Sequence, residues 1–150
     1  MAIVTELVDA VRSGDVRTVQ RLLGREPALA SSTTDDGTSL VFLACTGGHW
    51  RVVDALLAAG ADVDVFAAAA LGETNQLDIL LGLDPALATA EAADGETPLH
   101  VAARYGQREA AQRLIDGGAD ATRTNHRGET AAAVARSHGH SSVASLLERR

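Results

Sequence analysis

The sequence contains no lysine, so its basic charge comes from arginine alone. This absence excludes Schiff-base catalysis and a Walker-type phosphate loop, because both need a lysine amine. Cys45 is the single cysteine, so no disulfide can form within the chain, and we expect a reducing compartment. Aromatic residues make up only 3%, so the core must be built from alanine, leucine and valine.

Basic residues are also few, since the sequence has 13 of them and 20 acidic residues, which gives a net charge of −7. This balance opposes nonspecific nucleic-acid binding, which depends on neutralising phosphates. The longest uninterrupted apolar run, residues 65–71, is too short to span a membrane. We therefore expect a soluble, cytoplasmic protein that binds neither nucleic acid nor membranes. Abundant alanine with arginine in place of lysine is typical of GC-rich bacterial genomes and indicates a bacterial source.

The chain repeats itself at an offset of 58 residues, which aligns Gly14 with Gly72 and residues 27–30 with residues 85–88. A shorter period of 33 residues lies inside this one, because residues 95–97 and 128–130 share the pattern Gly-Glu-Thr. Periods of this length indicate an array of small structural repeats, each of which must stack on its neighbours to bury an apolar face.

Residues 94–103, which read Asp-Gly-Glu-Thr-Pro-Leu-His-Val-Ala-Ala, resemble the ankyrin-repeat signature. The resemblance covers essentially the whole chain, although only the fourth unit carries the full signature. It implies one all-α domain, an ankyrin-repeat solenoid of five helix-turn-helix units: residues 1–33, 34–65, 66–91, 92–125 and 126–150. The turn between the two helices of each unit falls on a glycine that can adopt a positive φ: Gly14, Gly48, Gly72, Gly106 and Gly139.

The third unit departs from the family pattern. From Asp62 to Gly72 there are 10 residues, whereas from Asp120 to Gly139 there are 19. The nine missing residues are those that form the projecting β-turn finger in ankyrin repeats. We therefore expect the third unit to lack its finger, which would leave a gap in the row of fingers.

Ankyrin-repeat proteins act mainly as non-enzymatic binding modules. The resemblance therefore implies a protein partner, bound through the concave groove and the finger surface, and no cofactor. Positions that face the groove in the family correspond here to Thr46, Leu71, Arg104, Tyr105 and His138. Trp50 and Phe66 are further binding candidates, because large aromatic side chains are frequent interface anchors, although both could equally pack in the core.

A long central segment is acidic. No basic residue lies between Arg51 and Arg104, whereas nine acidic residues do. These are Asp54, Asp62, Asp64, Glu73, Asp78, Asp84, Glu91, Asp94 and Glu96. Such a segment favours a partner with a basic surface, or it is simply a solvated face.

We also expect Arg104→Ala and Tyr105→Ala to weaken binding at little cost in stability, on the premise that both side chains are exposed.

A second interpretation places a small-molecule or catalytic pocket at the missing finger. Asp94 and Glu96 would then serve in acid–base catalysis, and Phe42, Phe66 and Tyr105 would form the walls.

The remaining reactive side chains are expected to be structural. Cys45 and His49 could form a nucleophile–base pair, but a Gly-Gly step separates them and Cys45 occupies a small-residue position. We therefore expect a buried, inert thiol. The resemblance assigns His100 a structural role, hydrogen bonding to backbone groups between repeats. His138 and His140 are too few to hold zinc, so no metal site is expected.

Overall fold

The computed structural model describes residues 2–149, which form ten α-helices and two short 3₁₀ helices. The α-helices are α1 (Ala2–Ser13), α2 (Val16–Arg25), α3 (Leu40–Thr46), α4 (Trp50–Ala58), α5 (Val65–Leu71), α6 (Thr74–Leu83), α7 (Pro98–Arg104), α8 (Arg108–Asp116), α9 (Ala131–Ser137) and α10 (Ser141–Glu148). The 3₁₀ helices span Pro27–Ser31 and Pro85–Thr89. The helices form five pairs, which confirms the all-α repeat architecture. No helix among the described residues is long and apolar enough to cross a membrane.

In three of the five pairs, the first helix begins after a hydroxyl side chain. The side-chain oxygens of Ser39, Thr97 and Thr130 accept hydrogen bonds from the backbone N–H of the third residue of α3, α7 and α9, at 3.1, 3.4 and 3.2 Å. Such a cap satisfies an N–H group that has no partner inside the helix. The degenerate second and fifth repeats therefore keep the capping group of the full signature, although they lack its proline and histidine.

The turns between paired helices fall at the predicted glycines, and all five have a positive φ, between 69° and 79°. Two of these glycines also make room for a histidine. A Cβ atom at Gly14 would lie 2.5 Å from Nδ1 of His49, and one at Gly106 would lie 2.7 Å from Nδ1 of His140. A side chain at either glycine would therefore meet both backbone strain and a close contact.

The chain divides into two compact parts, one ending at Ala67 and the other beginning at Ala68. In the N-terminal part, α1 packs on α2 and α3, and α4 packs on α2 and α3. In the C-terminal part, α8 packs on α6, α7 and α10, and α9 packs on α7 and α10. Each part has a core of buried aliphatic side chains. Alanine is frequent in both cores because small side chains let neighbouring helices approach closely.

Loop length differs among the connections between successive helix pairs. Fourteen residues connect α2 to α3, α6 to α7 and α8 to α9, whereas only residues 59–64 connect α4 to α5. An isolated antiparallel bridge closes two of the long loops, between Thr33 and Ser39 and between Thr124 and Thr130. In the short connection, Oδ1 of Asp64 accepts a hydrogen bond from the backbone N–H of Ala67 at 2.8 Å, which caps α5. The missing third finger itself stays a prediction.

Candidate functional site

Arg104 and Tyr105, the two main binding candidates, lie where α7 ends. Arg104 is the last residue of the helix and Tyr105 is its C-cap, and both are half-buried. The guanidinium Nη2 of Arg104 donates to Oε2 of Glu96, so the two form an ion pair. The Arg104 side chain is 22% exposed, whereas that of Glu96 is 4% exposed. The arginine is therefore held at the surface by a carboxylate that lies almost entirely inside the protein.

The buried carboxylate also contacts the next loop. Nδ2 of Asn125 lies 3.3 Å from Oε2 of Glu96 and 3.2 Å from Oε1 of Glu129. Oε1 of Glu96 has no hydrogen-bond partner among the described residues. We call Arg104, Glu96 and Asn125 the Glu96 network. Removing a partner from a buried carboxylate destabilises the folded protein. Arg104 therefore stabilises the fold in addition to offering a side chain at the surface.

This arrangement corrects two sequence-based expectations about Glu96 and Arg104. Arg104 is half-buried and ion-paired, and Tyr105 is half-buried, so the premise that both side chains are exposed is wrong. Glu96 is buried and ion-paired, so it is neither a solvated member of the acidic segment nor a carboxylate open to a substrate. Asp94 is exposed, and its Oδ1 accepts a hydrogen bond from the backbone N–H of Glu96 at 3.1 Å, as a turn-forming carboxylate does.

The acidic segment is partly neutralised by arginines that follow it in the sequence. Besides Glu96, Asp78 pairs with Arg113, and Glu91 pairs with Arg123 at 3.0 Å. The hydrogen bond and charge of Asp78 raise the pKa of Arg113 above its usual value. A count of charges along the sequence therefore overstates the negative field of this segment.

The other predicted groove positions occupy comparable places at helix ends. Thr46 ends α3 and is exposed, and its hydroxyl donates to the carbonyl of Leu43 at 2.7 Å. Leu71 ends α5 and is half-buried, whereas His138 caps α9 and is exposed. Thr46 belongs to the N-terminal part, and Leu71 and His138 belong to the C-terminal part. Their role in binding stays a prediction.

The two aromatic candidates differ in their surroundings. Trp50, at the start of α4, is 47% exposed, so packing inside the core does not explain it. It lines a surface groove of about 510 Å³ together with His49 and Arg51. Phe66 is half-buried, and its ring centroid lies 5.7 Å from that of Phe42, a separation typical of packed aromatic pairs. Phe66 therefore contributes to packing within the N-terminal part.

The structure confirms the inert thiol. Cys45 is 1% exposed, and burial, with a smaller effect of the Asp64 charge, raises its pKa to about 12. Such a thiol is not a nucleophile near neutral pH. His49 is engaged elsewhere, since its Nε2 donates to the carbonyl of Arg12 at 3.1 Å. Within residues 2–149, no group of three or more potential metal ligands is close enough to hold an ion.

Sequence reasoning missed a groove of about 580 Å³ between α1 and the loop that follows the first 3₁₀ helix. We call it the α1 groove, and it is lined by Val4, Thr5, Val8, Asp9, Arg12, Thr33, Thr34, Asp35 and Asp36. A signal was present, because the apolar stripe of α1 is wide. Leu7 and Val11 are fully buried, whereas Val4 and Val8 stay half-buried and contribute to the groove.

Comparison with known proteins agrees with this architecture. Residues 65–149 match the family described as ankyrin repeats (3 copies), and residues 36–68 match the ankyrin repeat. One curated relative is the "Probable E3 ubiquitin-protein ligase XBOS31" of Oryza sativa subsp. japonica, 35% identical over 126 residues. That alignment covers 77% of this chain but 28% of the relative, so the chain spans less than a third of that protein's length. The relative is a plant protein and does not support a bacterial source. Because the first match alone covers more than half of the sequence, the chain belongs to the ankyrin-repeat family.

Proposed function

We propose that the chain is a non-enzymatic binding module that holds a protein partner through the concave groove and finger surface of its repeats. Ankyrin repeats are in general protein–protein interaction modules. The observation that carries the proposal is the ion pair between Arg104 and buried Glu96, which keeps a half-buried arginine in one position beside Tyr105. Arginine and tyrosine are frequent anchors of protein interfaces.

The Glu96 network supports this role through preorganisation. A free arginine side chain loses rotamer entropy when a partner immobilises it. Arg104 is already held by Glu96, so binding costs less of that entropy. Its guanidinium has five N–H donors, and the described contact with Glu96 uses one nitrogen. Because the ion pair already neutralises the positive charge, an uncharged acceptor such as a partner's backbone carbonyl suits Arg104 better than a second carboxylate does.

The proposal extends to Thr46 and Leu71, which end their helices as Arg104 does, and to His138, which is a C-cap as Tyr105 is. The exposed Trp50 is included as well. It also includes a gap at the third finger, because the connection between α4 and α5 has only residues 59–64. Exposed carboxylates of the acidic segment, such as Glu73 and Asp84, favour a partner with a basic surface. A cytoplasmic location belongs to the proposal, since a single cysteine suits a reducing compartment.

The alternative of a small-molecule or catalytic pocket depended on Asp94 and Glu96. Both carboxylates take part in local hydrogen bonds, and Glu96 is buried beneath its arginine. Nothing in the part of the chain that the structure describes favours this alternative over protein binding.

Site-specific photo-crosslinking tests the proposal without destabilising the Glu96 network. A benzoylphenylalanine replaces Tyr105 in one variant and Thr46 in another, and each variant is irradiated in an extract of the source organism. We expect both positions to crosslink to the same protein, which mass spectrometry then identifies. The matched control carries the same group at Leu83, which is 80% exposed on α6. Crosslinks from Leu83 but from neither groove position would place the binding surface elsewhere and refute the proposal.

A further inference from the structure

We infer that the α1 groove binds an aliphatic side chain of a partner segment that carries a basic residue on each side of it. This inference rests on the proposed function and specifies the partner's chemistry at a site that sequence reasoning did not identify. Three features of the N-terminal part support it: a partly exposed apolar floor, a wall held by its own hydrogen bonds, and an excess of carboxylates at the rim.

The floor of the groove consists of Val4 and Val8, which are four residues apart and therefore lie on one face of α1. The neighbouring core residues Leu7 and Val11 are fully buried, whereas both valines stay half-buried. The groove volume of about 580 Å³ is more than one aliphatic side chain needs. An apolar side chain seated there would remove valine surface from water, which favours binding.

The opposite wall is held by its own hydrogen bonds. Thr33 forms an isolated bridge with Ser39. Inside the loop, Oδ1 of Asp36 accepts hydrogen bonds from the hydroxyls of Thr34 and Thr38, the second at 2.7 Å. The backbone N–H of Thr34 donates to the carbonyl of Thr38 at 2.9 Å. The wall is therefore formed before any partner arrives, which lowers the entropy cost of binding.

The rim of the groove is negative. Asp9, Asp35 and Asp36 are exposed carboxylates, and Arg12 is the single cation among the lining residues, so the local charge is −2. Hydrogen bonds from Thr34 and Thr38, with a smaller effect of Arg12, lower the pKa of Asp36, which keeps it ionised. An apolar floor inside a charged rim is a common arrangement at protein interfaces. Charge complementarity then selects lysine or arginine beside the seated side chain and disfavours acidic segments.

Peptide titration of the intact chain tests this inference. The probe is a blocked heptapeptide with one leucine between two lysines in a serine background, followed by methyl NMR of Val4 and Val8. We expect saturable shifts of both residues. Replacing the two lysines with glutamates should weaken binding by about tenfold or more, since like charges then face the rim. Replacing the leucine with serine should weaken it by about fivefold or more, because the apolar contact is lost.

Three isosteric variants locate the effect. We expect Asp9→Asn and Asp35→Asn each to weaken binding of the lysine peptide by about two- to fivefold, as removal of one exposed charge pair does. Asp54→Asn is the matched control, because it removes one exposed carboxylate of the same N-terminal part from α4, outside the groove. It should leave the affinity within about 1.5-fold, since distant exposed charges are screened by salt.

Several results would overturn the inference: no detectable binding up to millimolar peptide, equal binding of the lysine and glutamate peptides, or an equal effect of Asp54→Asn and Asp35→Asn. Shifts that avoid Val4 and Val8 would overturn it as well. These failures are distinguishable from failure of the proposed function, which is judged by the crosslinks from Tyr105 and Thr46. Crosslinks at those positions without peptide binding would leave a protein-binding module whose partner does not use the α1 groove.

Discussion

The imidazole Nε2 of His100 donates a hydrogen bond to the backbone carbonyl oxygen of Glu129 at 2.9 Å. The other ring nitrogen, Nδ1, accepts a hydrogen bond from the backbone N–H of Thr97 at 3.2 Å. One buried side chain thus satisfies backbone groups of two successive repeats, at the start of its own helix and in the following loop. The structural role that the sequence resemblance assigned to His100 is confirmed.

Replacing His100 with leucine keeps an apolar body but leaves the Glu129 carbonyl and the Thr97 N–H without their partner. We expect a loss of about 1–3 kcal/mol in the free energy of unfolding, the cost of an unsatisfied buried group. Urea unfolding followed by circular dichroism measures this change. His138→Ala is the control, because that histidine is exposed and should cost less than about 0.5 kcal/mol. Equal costs for the two variants would contradict the bridging role.

Arg104→Ala should lower the free energy of unfolding by about 1–3 kcal/mol, because it leaves the buried carboxylate of Glu96 without its cation. Arg123→Ala breaks the ion pair with Glu91, whose side chains are 39% and 49% exposed, and should cost less than about 1 kcal/mol. Thermal and urea unfolding of the two variants side by side test the difference. A result in which Arg104→Ala costs no more than Arg123→Ala would show that water replaces the guanidinium without loss.

The buried thiol of Cys45 makes stability depend on pH in the alkaline range. The unfolded chain has the ordinary thiol pKa of 9.0, whereas burial raises the value in the folded protein to about 12. The unfolded state therefore loses its proton first as pH rises. The stabilising contribution is complete below about pH 9 and is lost as pH rises towards 12.

We expect the free energy of unfolding to fall between pH 9 and pH 12 more steeply in the wild-type chain than in Cys45→Ala. Denaturant titrations at several pH values provide the two curves. Labelling with a disulfide reagent at pH 8 gives a second readout, and native Cys45 should react far more slowly than the unfolded chain. Parallel curves together with rapid native labelling would mean that the thiol is accessible and its pKa ordinary.

Gly95 and Gly37 occupy equivalent loops and have similar backbone angles, with φ of 79° and 86°. A Cβ atom at Gly95 would collide with the ring of His126. A Cβ atom at Gly37 would have no other atom within 4 Å. Both alanine variants carry the strain of a left-handed residue, about 1–2 kcal/mol. In urea unfolding we expect Gly95→Ala to lower the free energy of unfolding more than Gly37→Ala does. Adding His126→Ala to Gly95→Ala should remove this difference. Equal costs would show that the histidine ring moves aside freely.

Features that depend on neighbours in sequence could be predicted from the sequence. Helix-ending glycines such as Gly14 and Gly106 follow from the positive φ that a tight turn requires. The burial of Cys45 follows from the repeat period, which places it at a small-residue position. These inferences were reliable because each rests on residues a few positions apart or on the spacing of the repeat.

Only the tertiary structure decided which polar side chains are buried and which apolar ones are uncovered. Glu96 stands in the sequence as one acidic residue among nine, yet its carboxylate is enclosed and paired with Arg104 and Asn125. Trp50 and Val8 are apolar residues of amphipathic helices, yet neither is fully covered. The physical reason is that burial and ion pairing depend on side chains contributed by other loops and helices. The repeat period brings those elements together, but the particular side chains that meet there set the chemistry of the surface.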